Sequence, residues 1–90
     1  MIEIEEIIKT LHSKLDDTAD LKVVDESVKH EGHMDVKNLN GVSHILVDIT
    51  WNGFEALSLL QRHRMLNLWL EEFFKMGLHS VRYKLKTFKE

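Results

Sequence analysis

Two stretches of strict alternation, separated by a long helical period, constrain this chain more than any other feature. In residues 44–51, Ile45, Val47, Ile49 and Trp51 alternate with His44, Leu46, Asp48 and Thr50, which gives a strand one wholly apolar face. Asn52 and Gly53 mark a turn. Leu59, Leu60, Leu66, Trp69, Leu70, Phe73 and Phe74 then run with helical period up to Gly77, a residue suited to a C-terminal cap. The early part of that run can also form a separate short helix. Beyond Gly77 alternation returns, with His79, Val81, Tyr83 and Leu85 facing one way and Ser80, Arg82, Lys84 and Lys86 the other. The connection of roughly two dozen residues is long enough for a right-handed crossover, so the two strands are expected to lie parallel.

The N-terminal part supplies a helix and a further strand. Apolar residues Ile4, Ile7, Ile8, Leu11 and Leu15 recur at helical spacing, with Glu5, Glu6, Lys9 and Lys14 between them. Asp16, Asp17, Thr18 and Asp20 form a polar turn, and Leu21, Lys22, Val23 and Val24 read as a short strand. The expected order is helix, strand, strand, one or two helices, strand. That is an α+β domain with a mixed three-stranded sheet packed against helices, covering residues 1–90 as one unit. No proline, repeat or low-complexity tract suggests a second module.

Composition removes several function classes. A hydrophobic fraction of 43% with 30% charged residues is that of an ordinary globular protein, not a disordered one. A formal charge of -3 supplies no overall positive field for phosphates, which disfavours nucleic acid. With no cysteine, the chain forms no disulfide and offers no thiolate, so a soft metal must be held by histidine or by sulfur from another molecule. The acidic start Met1-Ile2-Glu3-Ile4-Glu5-Glu6 lacks the character of a secretory or transit leader and reads as cytoplasmic. Arg62, His63, Arg64 and the segment Glu71 to Lys75 break the richest apolar run well short of the ~20 residues that span a bilayer, so no membrane partner is expected.

The connection from Ser27 to Val42 is unusually long for a compact domain, and such loops tend to be functional or disordered. Within it His30, Glu31, Gly32, His33, Met34 and Asp35 bring two imidazoles and two carboxylates close together in sequence. Of the remaining histidines, His12 reads as a solvated side chain on the first helix. His44 begins a strand and reads as a surface or sheet-edge residue. His63 shares its spacing with Leu66, Leu70 and Phe73, which puts it on the inward stripe as a packing residue, or as one that orients a nearby site by hydrogen bonding. His79 sits where the long helix ends and the last strand begins, rigidly held yet open to solvent, and by spacing alone reads equally as a ligand or as a residue without that role. Arg62 and Arg64 read as solvated, salt-bridging side chains or as contacts for an acidic partner.

Signatures of catalysis are scarce. No nucleophile elbow, phosphate-binding loop or dinucleotide fingerprint occurs, and the four glycines are scattered at 32, 41, 53 and 77. The chain reads as a binding protein and not an enzyme.

A set of fragments carries a family likeness: Asp25-Glu26-Ser27, Lys29-His30 with Gly32-His33, Ser43-His44, Phe54-Glu55-Ala56-Leu57-Ser58, Gln61-Arg62-His63-Arg64 and Leu78-His79-Ser80-Val81. In this order and at these distances, from about residue 2 to 88, the chain resembles the BolA family. Members usually have glycine where Ala56 stands and an aromatic residue where Ile45 stands. The resemblance implies a KH-like fold of class II type, in the order αββααβ. It also implies pairing with a monothiol glutaredoxin and a [2Fe-2S] cluster shared with that partner and its glutathione. The implied ligands are His79 and a loop histidine, His30, with His33 as a near rival. Imidazole on one iron would raise the reduction potential relative to thiolate alone, and protonation of a ligating imidazole would weaken the assembly as pH falls.

Two other readings stand beside this one. A KH-like fold invites a nucleic-acid-binding regulator, with Arg62, Arg64, Arg82, Lys84, Lys86 and Lys89 as its basic patch, although no Gly-x-x-Gly clamp is present. A plain interaction domain would bind the glutaredoxin without metal. Whether two copies of this chain pair as a homodimer is left open by the sequence.

Overall fold

The computed structural model describes residues 1–27 and 41–90, arranged as α1 (Ile4–Lys14), β1 (Asp20–Asp25), β2 (His44–Thr50), one turn of 3-10 helix (Asn52–Phe54), α2 (Leu59–Trp69), α3 (Glu71–Lys75) and β3 (Ser80–Lys86). The expected α+β architecture is what forms. β2 lies at the centre of a sheet ordered β1-β2-β3, antiparallel to β1 and parallel to β3. The alternation in residues 44–51 is realised as burial: Ile45, Val47 and Ile49 are enclosed, while His44, Leu46, Asp48 and Thr50 are half-buried on the other face. β1 is one residue longer at each end than its run of strand-formers. β3 starts at Ser80, which leaves His79 just ahead of the ladder.

The helices cover one face of the sheet. α1 buries Ile7 and Leu11, and its acidic first turn and basic last turn complement the helix dipole. α2 starts with a capping box: the Ser58 hydroxyl accepts from the Gln61 amide at 3.1 Å, and the Gln61 side chain accepts from the Ser58 amide at 2.8 Å. Leu70, with φ −100° and ψ 8°, interrupts the helical period and separates α2 from α3. α3 ends as its glycine predicts. Gly77 has φ 114°, its amide donates to Phe74 and the Leu78 amide donates back to Phe73 at 2.9 Å, so the last carbonyls are satisfied.

The inward stripe of α2 differs from the one read from spacing. It runs Arg62, Leu66, Leu70 and then Phe73 in α3, all buried, whereas His63 is exposed and Leu59 and Leu60 are 63% and 58% exposed. Arg62, expected to be solvated, is only 4% exposed. The reason lies in what meets it. Its Nε donates to the Leu57 carbonyl at 3.1 Å, Nη1 donates to the Leu85 carbonyl at 3.0 Å, and both Nη atoms hold the Glu90 carboxylate at 2.9 Å. The guanidinium also lies 5.6 Å from the centre of the Phe54 ring. An imidazole at this position could not satisfy three separate acceptors, so the longer side chain goes in and His63 goes out.

Candidate functional site

The topology gathers residues from three distant segments at one end of the sheet. Because β1 runs antiparallel to β2, its last residues lie beside the start of β2, as the pairing of Asp25 with Ile45 shows. Because β3 runs parallel to β2, its start lies there too, with His44 opposite Ser80. Glu26, Ser27, Ser43, His44, His79 and Ser80 are thus neighbours, and they come from three of the fragments that carry the family likeness.

Backbone hydrogen bonds fix these neighbours in place. The Ser43 carbonyl accepts from the amides of His79 at 2.8 Å and Ser80 at 3.2 Å, and the His44 carbonyl accepts from the Glu26 amide at 2.8 Å. The imidazoles of His44 and His79 come together, with ring centres 5.1 Å apart and planes inclined by 47°. His79 is exposed and His44 half-buried. Ser43 Oγ sits 2.8 Å from His44 Nδ1, so one ring nitrogen of His44 is oriented by a hydroxyl.

The main charge at this end is a carboxylate held by an arginine. Glu26 is 8% exposed, and its two oxygens accept from Arg82 Nε at 3.0 Å and Nη2 at 2.6 Å. Glu26 raises the pKa of the Arg82 guanidinium further, first by this hydrogen bonding and then by its charge. A fork-to-fork pair of this kind fixes orientation as well as charge, and it ties the end of β1 to β3 across β2.

Among the described residues, no three histidine, aspartate or glutamate side chains converge as a metal cage. Two imidazoles meet, and imidazole nitrogen suits iron, zinc or copper. Further donors would have to come from elsewhere, since His30 and His33 lie outside the described residues. Of the described residues that flank them, Ser27 accepts from the His44 amide and Gly41 precedes His44 by three positions.

The other singled-out residues are placed less uniformly. His12 is exposed, as read. His63 packs edge-on against Tyr83 with ring centres 5.2 Å apart. His63 therefore has a packing contact but is exposed, which corrects the expectation that it lies on the inward stripe. Tyr83 donates to Asn67 Oδ1 at 2.7 Å, and burial pushes its phenol upward from the ordinary range. Of the expected basic patch, Arg62 is buried on Glu90, Arg82 is held by Glu26 and Lys89 pairs with Glu55 at 3.1 Å. Arg64, Lys84 and Lys86 remain exposed.

Sequence reasoning missed the meeting of His44 with His79. A signal was present. Ser43-His44 and His79-Ser80 each pair a serine with a histidine at a strand start, and two parallel strands in register bring such doublets together.

Comparison with known proteins agrees with this fold. The family model described as BolA-like protein matches residues 11–90. The chain is 35% identical over 69 residues to "Protein BOLA1, chloroplastic" of Arabidopsis thaliana, which covers 76% of this chain and 43% of that protein. It is 34% identical over 74 residues to "SufE-like protein 1, chloroplastic/mitochondrial" of the same plant, covering 79% of this chain and 20% of that protein. The chain therefore spans less than half the length of these two relatives. Among solved structures, BolA1 from Arabidopsis thaliana superposes with a TM-score of 0.77 at 29% identity, over 96% of this chain and 92% of that one. The BolA domain of SufE1 from the same plant gives a TM-score of 0.77 at 30% identity, over 94% and 91%. Among the described residues, no helix is long and apolar enough to cross a membrane. The match of the family model across most of the chain, together with the superposed fold, shows that this chain belongs to the BolA-like family.

Proposed function

We propose that this BolA-like chain is a non-catalytic adaptor that pairs with a monothiol glutaredoxin and shares a [2Fe-2S] cluster with it, in iron-sulfur cluster trafficking or iron-dependent regulation. The observation that carries the proposal is the exposed His79 imidazole, held beside His44 at the sheet end where Ser27, three residues before His30 in the sequence, also lies. His79 is one ligand. The second is a loop histidine, and His30 follows Ser27 by three residues, a span of at most about 11 Å. A chain without cysteine needs thiolates from its partner to complete the shell, and a glutaredoxin with glutathione supplies them. The cluster would then belong to the pair, with this chain supplying imidazole.

The nucleic-acid reading loses ground on one observation. Three of its six cations already hold carboxylates, which leaves Arg64, Lys84 and Lys86 on a chain of net charge -3.

The test is visible absorption and circular dichroism of the chain mixed with a monothiol glutaredoxin, glutathione, iron and sulfide. The expected result is a spectrum distinct from that of the glutaredoxin alone, lost in His79→Ala and in one of His30→Ala and His33→Ala. A ligating imidazole must be unprotonated, so the distinct spectrum should fade as pH falls. A mixture that shows only the glutaredoxin spectrum at every pH refutes the cluster-sharing reading. Pairing that survives loss of all three histidines would favour metal-free binding.

A further inference from the structure

The hydroxyl of Ser27 occupies an unusual place at the sheet end. Ser27 is 9% exposed, and its Oγ accepts from two consecutive amides, that of Ser43 at 2.9 Å and that of His44 at 3.1 Å. Its own proton is directed at the His44 carbonyl, 3.4 Å away. Ser27 is held in turn by its amide, which donates to Asp25 Oδ1 at 2.9 Å. One oxygen therefore joins the chain just past β1 to Ser43 and to His44, the first residue of β2.

Those two amides belong to the residues on which both imidazoles depend. The Ser43 carbonyl receives the His79 and Ser80 amides, and Ser43 Oγ meets His44 Nδ1 at 2.8 Å. A displacement of Ser43 would be passed to His79 through the carbonyl and to His44 through the hydroxyl and the chain itself. Without the Ser27 oxygen, two part-buried amides lose a partner, and the backbone must move to recover one from water.

We infer that Ser27 is a positioning residue for the histidine pair: by accepting the Ser43 and His44 amides, its hydroxyl sets where the His44 and His79 rings stand relative to one another. Asp25 and Glu26 support the same arrangement, Asp25 by holding Ser27 and Glu26 by accepting from Arg82 and donating its amide to His44. The consequence for cluster sharing rests on the function proposed above, but the positioning itself can be measured in this chain alone.

The experiment is nuclear magnetic resonance of the full chain, without glutaredoxin or iron, comparing Ser27→Ala and Ser27→Thr with the wild type. Long-range proton–nitrogen correlation reports the tautomer of each imidazole, and His12 and His63 serve as controls in the same spectrum. The expected result is that Ser27→Ala changes the His44 and His79 ring signals and leaves those of His12 and His63, while Ser27→Thr, which keeps the hydroxyl, restores the wild-type pattern. In the wild type the Ser43 and His44 amides should be protected from hydrogen exchange by about tenfold or more, the factor for one hydrogen bond of ordinary strength. Should Ser27→Ala not fold, that protection and the threonine variant still decide the matter. Free exchange at both amides, His44 and His79 ring signals indifferent to Ser27→Ala, or an equal shift of the His12 and His63 rings would overturn the inference. Failure of cluster formation in the wild type would leave these readouts untouched, so the two ideas fail separately.

Discussion

Replacing Arg62 by methionine tests how much of this fold hangs on a single buried cation. Methionine keeps most of the unbranched stem and fills much of the same space, so the change removes the guanidinium with little change in packing. The carbonyls of Leu57 and Leu85 then lose donors at 3.1 and 3.0 Å, and neither is a side chain that repacking can remove. A hydrogen bond to a charged group contributes about 1.5–3 kcal/mol, so the two together amount to about 3–6 kcal/mol. Part of this is offset, because the variant no longer desolvates a charge, and a net loss of about 2–3 kcal/mol is expected. For a domain of this size that lowers Tm by about 10–20 °C. Urea and thermal unfolding followed by circular dichroism measure it, and Arg62→Lys should lose most of the same stability because one ammonium cannot span the three acceptors. A methionine variant within about 0.5 kcal/mol of the wild type, or above it, would refute the reasoning and show that the arginine costs as much to bury as its bonds return.

Two further outcomes follow from particular groups. The Arg62 guanidinium, with the Thr87 amide, holds the Glu90 carboxyl down at about 2, below the range of an unfolded glutamate. A depressed folded value means that the stabilisation is present above about pH 4.5 and fades as pH falls toward 2, so Glu90→Gln and wild type should differ at pH 6 and converge by pH 2 in urea titrations. At Gly77 an added Cβ would meet nothing within 4 Å, so Gly77→Ala reports the cost of φ 114° alone and should destabilise by about 1–2 kcal/mol in the same assay.

The local order of this protein is written in its periodicities. Alternation in residues 44–51 and 79–86 and the helical run ending at Gly77 are read from side-chain chemistry within a few residues, and they suffice for a parallel pair joined by a helical crossover. The positions of turns and caps follow for the same reason: Gly77 needs only its own freedom at positive φ, and the break at Leu70 left the order of elements unchanged. Burial of a polar residue is different, because it depends on what lies opposite. Arg62 and His63 are adjacent on one helix and spacing alone favoured His63, but the acceptors that draw Arg62 inward belong to Leu57, Leu85 and Glu90. His79 was legible as an exposed residue at an element boundary. Its nearness to His44 was not, since it requires the register of β2 against β3. Ser27 carries no local sign of its role, which arises only when β1 ends beside the start of β2. The sequence by itself determined the elements, their order and the lack of thiolates. Tertiary structure alone decided which polar side chains are enclosed and which histidines meet, because those outcomes rest on hydrogen-bond partners distant along the chain.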